Sequence, residues 1–147
     1  MSRAPSGASG AAPYFPAFFD LSGRKILVAG GDAASAAKAA AFAEAGARVV
    51  LASPFPGPEA LALSPGVKVA HRGWLFGDVI DCFLVCTGPR LGQGAVERLA
   101  GAAEAAGALF YAIDRPALSD FSGGAAIRRG ALSIAVSTAG ASPALGQ

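Results

Sequence analysis

Short apolar runs alternate with alanine-rich segments along most of this chain. The first apolar run, residues 25–29, lies between glycines and is typical of a buried strand. Residues 33–45 contain many alanines and no proline or glycine, so the sequence predicts a helix that ends at Gly46. Residues 48–52 form the second predicted strand. Together these segments predict one β-α-β unit with a right-handed crossover.

The same alternation continues through the rest of the chain. The pattern predicts a helical turn within 59–62, strands over 67–71, 82–86 and 109–113, an apolar link over 74–76, a helix over 95–106, and hairpin strands over 125–128 and 132–137. Strands that alternate with helices favour a Rossmann-like α/β fold, a doubly wound and mostly parallel sheet with helices on both faces. A C-terminal hairpin follows this sheet.

Composition and charge exclude several classes of protein. The chain has 147 residues, which is the size of one domain, and 53% of them are apolar, so a packed core is expected. The net charge is only +2 and the basic residues are scattered, so no stripe for nucleic acid is predicted. The apolar runs are too short to span a membrane. Residues 1–13 resemble a disordered tail rather than a signal peptide, which favours a cytoplasmic protein.

The two cysteines are predicted to serve as core residues. Cys82 and Cys86 lie on one predicted strand, with both thiols on the same face and the two residues about 13 Å apart, beyond the reach of a disulfide. His71 is the only histidine, so no metal site is predicted. His71 and Trp74 are interpreted as structural residues.

The loop after the first predicted strand is the first chemical clue. Gly30 fits the tight-turn position of a dinucleotide fingerprint, and Ser35 is small enough for close helix packing. Asp32, however, replaces the glycine that lets the backbone approach phosphate. A carboxylate about 5 Å from a phosphate costs roughly 3 kcal/mol at an effective dielectric near 20, about a hundredfold in affinity. Two interpretations remain open, a nucleotide site and a helix that Asp32 simply caps.

Four segments of the chain resemble the family of precorrin-2 dehydrogenase and sirohydrochlorin ferrochelatase, which forms the N-terminal part of siroheme synthase. The segments are residues 14–31 (YFPAFFDLSGRKILVAGG), 44–50 (EAGARVV), 110–114 (FYAID) and 127–145 (IRRGALSIAVSTAGASPAL). The last segment is the most specific of the four. The resemblance implies NAD-dependent oxidation of precorrin-2 to sirohydrochlorin, with insertion of ferrous iron in bifunctional members.

The resemblance also implies roles for individual residues. Asp114, after the fifth predicted strand, corresponds to the acid–base residue of the family. From the residues alone two interpretations of Asp114 remain open, an acid–base carboxylate at a strand end and a turn in which the side chain satisfies local N–H groups. The residues predicted to bind NAD are Gly30, Gly31, Asp32, Ala33, Ala34, Ser53, Pro54, Thr87 and Gly88. The residues predicted to bind the tetrapyrrole are Arg128, Ser137, Thr138, Gly140 and Ser142, and Arg129 invites the same idea.

The chain departs from the family pattern at several positions. Asp32 replaces a glycine, Tyr111 stands where asparagine is usual, and Thr87 is followed by Gly-Pro-Arg90 rather than by acidic residues. Residues 14–136 are predicted to form the NAD-binding domain, and residues 137–147 the start of a truncated segment for substrate binding and dimerisation. The family forms homodimers. Two alternatives to the dehydrogenase remain, a degenerate non-redox domain that binds a tetrapyrrole or a partner chain, and a chelatase without redox activity.

Overall fold

The computed structural model describes residues 12–137, so the predicted tail lies almost entirely outside the described residues. In chain order the elements are β1 (Lys25–Ala29), α1 (Ala33–Glu44), β2 (Arg48–Ala52), α2 (Pro58–Leu61), β3 (Lys68–Ala70), α3 (Phe76–Val79), β4 (Leu84–Thr87), α4 (Gln93–Ala105), β5 (Leu109–Ala112), a 3₁₀ helix (Pro116–Leu118), β6 (Ala125–Arg129) and β7 (Leu132–Val136). Within this part of the chain, no helix is both long and apolar enough to cross a membrane.

The central sheet has five parallel strands in the order β3-β2-β1-β4-β5. Successive strands run outward from β1 to β3, and the chain then returns to the other side of β1 to form β4. This reversal is the switch point of a doubly wound sheet. The predicted fold class is therefore confirmed. Strands β6 and β7 form a separate antiparallel hairpin, which is also confirmed.

The sheet is buried on both faces, which explains why its strands are continuous apolar runs. One face packs against α1 and α2, and its core includes Ile26, Leu51 and Leu84. The other face packs against α3 and α4, and its core includes Val85 and Leu99. The two layers of helices hold the strand ends, and the loops that follow them, in fixed positions.

Some boundaries differ from those predicted. Helix α4 begins at Gln93 instead of residue 95, and β4 covers 84–87 instead of 82–86. Residues 76–79 form a short helix where the pattern suggested only an apolar link. The Asp78 carboxylate stabilises this turn because it accepts a 2.7 Å hydrogen bond from Leu75 N and pairs with Arg72. Such a local contact leaves no periodic signal in so short a segment.

Cys82 and Cys86 do not share a face of the sheet, so that prediction is wrong. Cys82 lies before β4, after Asp81, whose φ of 63° turns the chain. Its thiol donates a 3.2 Å hydrogen bond to the carbonyl of Asp78. Cys82 packs on the side of α3 and α4, and Cys86 packs on the side of α1. Both cysteines are free and buried, as predicted.

The buried Cys86 thiol makes stability fall at alkaline pH. Burial raises the pKa of Cys86 from 9.0 to about 12. The unfolded thiol therefore ionises first, and up to about 4 kcal/mol of stability is lost as the pH rises from about 9 to about 12. Urea unfolding between pH 8 and 11 should show a shallower decline for Cys86→Ala than for the native chain. Equal declines would contradict this assignment.

Candidate functional site

A cleft opens at the carboxyl ends of β1, β2 and β4, where the strand order reverses. Its volume is about 510 Å³. The residues that line it are Gly30, Gly31, Asp32, Ser53, Phe55, Gly57, Gly88, Arg90 and Leu91. Ligands of open parallel sheets bind at this position because loops from both sides of the switch point diverge there.

Glycines allow the walls of the cleft to approach each other. A Cβ at Gly31 would lie 2.5 Å from Ser53 Oγ and 2.9 Å from the Phe55 carbonyl oxygen. A Cβ at Gly88 would collide with the Ser35 hydroxyl. The loop after β1 is tied to the loop after β2 by a 2.8 Å hydrogen bond from Gly57 N to the Gly31 carbonyl. The cleft is therefore narrow, and only glycine fits where its walls come closest.

Asp32 caps helix α1, which confirms that interpretation of its role. Its Oδ1 accepts hydrogen bonds from Ser35 N at 2.9 Å and from Ser35 Oγ at 2.6 Å. The Ser35 side chain is fully buried, so these bonds hold the carboxylate at the start of the helix. Capping and ligand binding do not exclude each other here, because the N–H groups of Ala33 and Ala34 still have no acceptor within the helix.

A cation faces Asp32 across the cleft. Arg90 Nε lies 3.7 Å from Asp32 Oδ2, and the side chain of Arg90 is 87% exposed whereas that of Asp32 is 18% exposed. The Asp32 carboxylate is thus fixed at the start of the helix. The Arg90 guanidinium, by contrast, lies at the end of an exposed side chain. An exposed pair of this kind contributes little to stability.

Arg115 fixes the loop that carries Arg90. One terminal nitrogen of Arg115 donates to the carbonyl oxygens of Leu91 at 2.8 Å and Pro89 at 3.4 Å. The other terminal nitrogen, Nη1, is buried and has no partner among residues 12–137. Since Arg115 follows Asp114 directly, the end of β5 and the wall of the cleft are mechanically linked.

Asp114 lies just beyond β5, one strand away from the cleft. Its φ is 62°, a left-handed conformation that aspartate tolerates better than most residues, and its side chain is exposed. The backbone on either side is fixed, because Ile113 N donates to the Thr87 carbonyl at 3.1 Å and Ala112 N donates to Ser119 Oγ at 2.9 Å. The Asp114 carboxylate is therefore exposed to solvent on a backbone that hydrogen bonds hold in place.

Tyr111 lies beneath Asp114 on the side of the sheet that packs against α1. Its ring stacks on Phe121 with centroids 5.1 Å apart, and Lys38 Nζ lies 5.2 Å from the ring centroid. Burial raises the pKa of Tyr111, and the charges of Cys86 and Asp114 raise it further. The phenol is therefore a neutral hydrogen-bonding group over the ordinary pH range.

The structure brings together five of the residues predicted to bind NAD, namely Gly30, Gly31, Asp32, Ser53 and Gly88. Ala33, Ala34 and Pro54 are exposed beside the cleft without lining it. Thr87 is fully buried, and its Oγ1 has no hydrogen-bond partner among the described residues. Four further residues line the cleft and were not predicted from the sequence, namely Phe55, Gly57, Arg90 and Leu91. These residues lie in the loops that follow β2 and β4. Both loops had been recognised in the sequence as strand ends, and this position is the signal that could have identified the four residues.

Of the residues predicted to bind the tetrapyrrole, the two that the structure describes, Arg128 and Ser137, do not line this cleft. Arg128 lies on the exposed hairpin, opposite Ser133. Ser137 Oγ lies 3.3 Å from Ser122 Oγ. Thr138, Gly140 and Ser142 lie outside the described residues. Their roles in substrate binding remain predictions.

The residues of the cleft fit a dinucleotide. The glycines in the walls of the cleft have no side chains that would obstruct a pyrophosphate. The start of α1 and the Arg90 guanidinium supply N–H donors. The Asp32 carboxylate opposes an anion, but Arg90 partly neutralises it. Among residues 12–137, no group of three or more His, Cys, Asp or Glu side chains could hold a metal ion.

Comparisons with known proteins agree with this geometry. A family model described as "Putative NAD(P)-binding" matches residues 17–125. The siroheme synthase of Pseudomonas putida W619 is 32% identical over 134 residues, which cover 90% of this chain and 29% of that protein. Siroheme synthase 1 of Halorhodospira halophila is 33% identical over 136 residues, again 90% of this chain, and 28% of that protein. The chain thus spans less than a third of these relatives.

A solved structure named "SirC, precorrin-2 dehydrogenase" has the same fold. It superposes with a TM-score of 0.75 at 24% sequence identity, and the match covers 90% of this chain and 65% of that chain.

Proposed function

The chain belongs to this NAD(P)-binding family, and from that premise we propose that it binds NAD in the cleft and oxidises precorrin-2 to sirohydrochlorin. The observation that carries the proposal is the position of Asp114. An exposed carboxylate stands at the end of β5, one strand from a cleft that fits a dinucleotide. The similarity to siroheme synthases and to SirC supports the choice of substrate.

The chain's own backbone and one arginine would hold the cofactor. Gly30, Gly31 and the first turn of α1, where N–H groups point outward, would hold its pyrophosphate. NAD is favoured over NADP because residues 53–57 contain no lysine or arginine to bind a 2′-phosphate. When bound, NAD accepts a hydride from the substrate.

Asp114 takes the proton that leaves the substrate as the hydride departs. The substrate thus loses one hydride and one proton, which is a two-electron oxidation, and one new double bond forms in the macrocycle. The exposed carboxylate passes its proton to water. The neighbouring Arg115 keeps this strand end and the cleft wall in register through the carbonyls of Leu91 and Pro89.

Iron insertion uses the same carboxylate in this proposal. Two pyrrole nitrogens must lose their protons as ferrous iron, the second substrate, binds to the macrocycle, and Asp114 is the base that the family resemblance assigns to this step. We propose a cytoplasmic location for these reactions and a homodimer as the assembled form. Both follow from the family resemblance.

A second candidate function is a domain that binds a tetrapyrrole, or a partner chain, without redox chemistry. The capping contact of Asp32 favours it, because a carboxylate at the start of α1 repels an incoming phosphate. Chelatase activity alone is a variant of this candidate. NAD binding distinguishes these candidates from the dehydrogenase.

Titration calorimetry with NAD and NADP tests the proposed cofactor. We expect NAD to bind with a Kd on the order of 10 μM to 1 mM, and NADP more weakly. Asp32→Asn keeps a good cap but removes the charge, so it should tighten NAD binding by about tenfold. Binding by Asp32→Asn alone would favour the second candidate, and binding by neither protein would overturn the dinucleotide site.

A further inference from the structure

We infer that Arg90 is a pyrophosphate-binding residue whose guanidinium exchanges the Asp32 carboxylate for the cofactor's phosphates when the dinucleotide enters. The inference rests on the proposed cofactor. Its basis is the ion pair across the cleft, with Arg90 Nε 3.7 Å from Asp32 Oδ2. The family resemblance predicts acidic residues in this loop, so the role is specific to this chain.

The two partners of this ion pair are held very differently. Asp32 Oδ1 is fixed by two hydrogen bonds from the buried Ser35. Arg90 is 87% exposed and has no other ion-pair or side-chain hydrogen-bond partner among the described residues. At 3.7 Å the contact is longer than a charge-assisted hydrogen bond. The guanidinium can therefore leave the carboxylate at little cost, whereas the carboxylate cannot move.

The backbone of Arg90 is nevertheless kept beside the cleft. Arg115 holds the flanking carbonyls of Pro89 and Leu91, and Gly88 N donates to the Ala29 carbonyl at 2.9 Å. A mobile side chain on a fixed backbone can follow an entering anion without rearrangement of the loop. The planar guanidinium also offers paired donors that match phosphate oxygens.

This arrangement explains how a carboxylate is tolerated at a phosphate site. In the free protein, Arg90 neutralises Asp32 across the cleft. In the complex, the guanidinium binds to the phosphates while it remains close to the carboxylate, so it offsets the repulsion between two anions. Because the Arg90 guanidinium is exposed, its contribution to binding should shrink at high salt.

Calorimetry with ADP-ribose tests the inference, because this probe carries the pyrophosphate but no nicotinamide. Arg90→Gln should weaken binding by at least about tenfold, and Arg98→Gln, on the exposed face of α4, should stay within about twofold. In an Asp32→Asn background the loss caused by Arg90→Gln should persist. Its persistence distinguishes phosphate contact from mere neutralisation of Asp32.

Three results would overturn the inference. If the native chain binds NAD and ADP-ribose while Arg90→Gln binds them equally well, Arg90 has no role and the proposed function stands. The inference also fails if the loss disappears in the Asp32→Asn background, because Arg90 then only neutralises the carboxylate. If the native chain binds neither NAD nor ADP-ribose, the proposed cofactor and the inference fail together.

Discussion

Asp114→Asn is expected to lower NAD-dependent oxidation of precorrin-2 by at least about a hundredfold. The amide has nearly the same shape as the carboxylate but cannot accept the proton that leaves the substrate. Asparagine also tolerates the left-handed conformation with φ of 62°, so the loop should keep its structure. NAD affinity, measured by calorimetry, should change by less than about twofold because Asp114 does not line the cleft.

Asp81→Asn provides a matched control. Asp81 is also exposed, also lies at the end of a turn, and has a φ of 63°. It stands before β4, at the opposite end of the sheet from the cleft, so its replacement should leave turnover unchanged. Full activity in Asp114→Asn, or an equal loss in both variants, would contradict the assignment of Asp114 as the acid–base residue.

Gly31→Ala is expected to close the cleft and destabilise the fold. The added Cβ would lie 2.9 Å from the Phe55 carbonyl oxygen and from Pro56 Cα, which are both backbone atoms. The loop after β2 must therefore move away, and the hydrogen bond from Gly57 N to the Gly31 carbonyl is strained. We expect a loss of about 1–3 kcal/mol in urea unfolding and at least about a tenfold loss of NAD affinity.

Gly73→Ala separates this steric effect from a general effect of replacing glycine. A Cβ at Gly73 would meet nothing within 4 Å. Its free energy of unfolding should stay within about 1 kcal/mol of the native value, with NAD affinity unchanged. Equal behaviour of the two alanine variants would show that the walls at Gly31 can move apart freely.

Much of the fold could be predicted because the sheet is buried on both faces. Residues 26–29 and 49–52 are continuous apolar runs, and each is bounded by glycine or polar residues. Helix α1 was equally clear from its alanines. The sheet order then places the ends of β1, β2 and β4 together, so the position of the cleft follows from the alternation of elements.

Features fixed by tertiary contacts escaped the sequence analysis. The side that Cys82 faces depends on the turn at Asp81, which interrupts the alternation of a strand. Helix α3 depends on the contacts of Asp78, and the partner of Asp32 is an arginine 58 positions away in the sequence. No local pattern reports such a pairing. Asp114 was identified through family resemblance, and its left-handed backbone became visible only in the structure.

We propose that this chain couples NAD reduction to the oxidation of precorrin-2. Anaerobic incubation of the protein with both compounds, followed by absorption spectroscopy of the macrocycle and of NADH, tests it directly. We expect sirohydrochlorin and NADH to form in equal amounts, and neither to form when NAD is omitted. Formation of sirohydrochlorin at the same rate without NAD, or no formation by a chain that binds NAD, would contradict it.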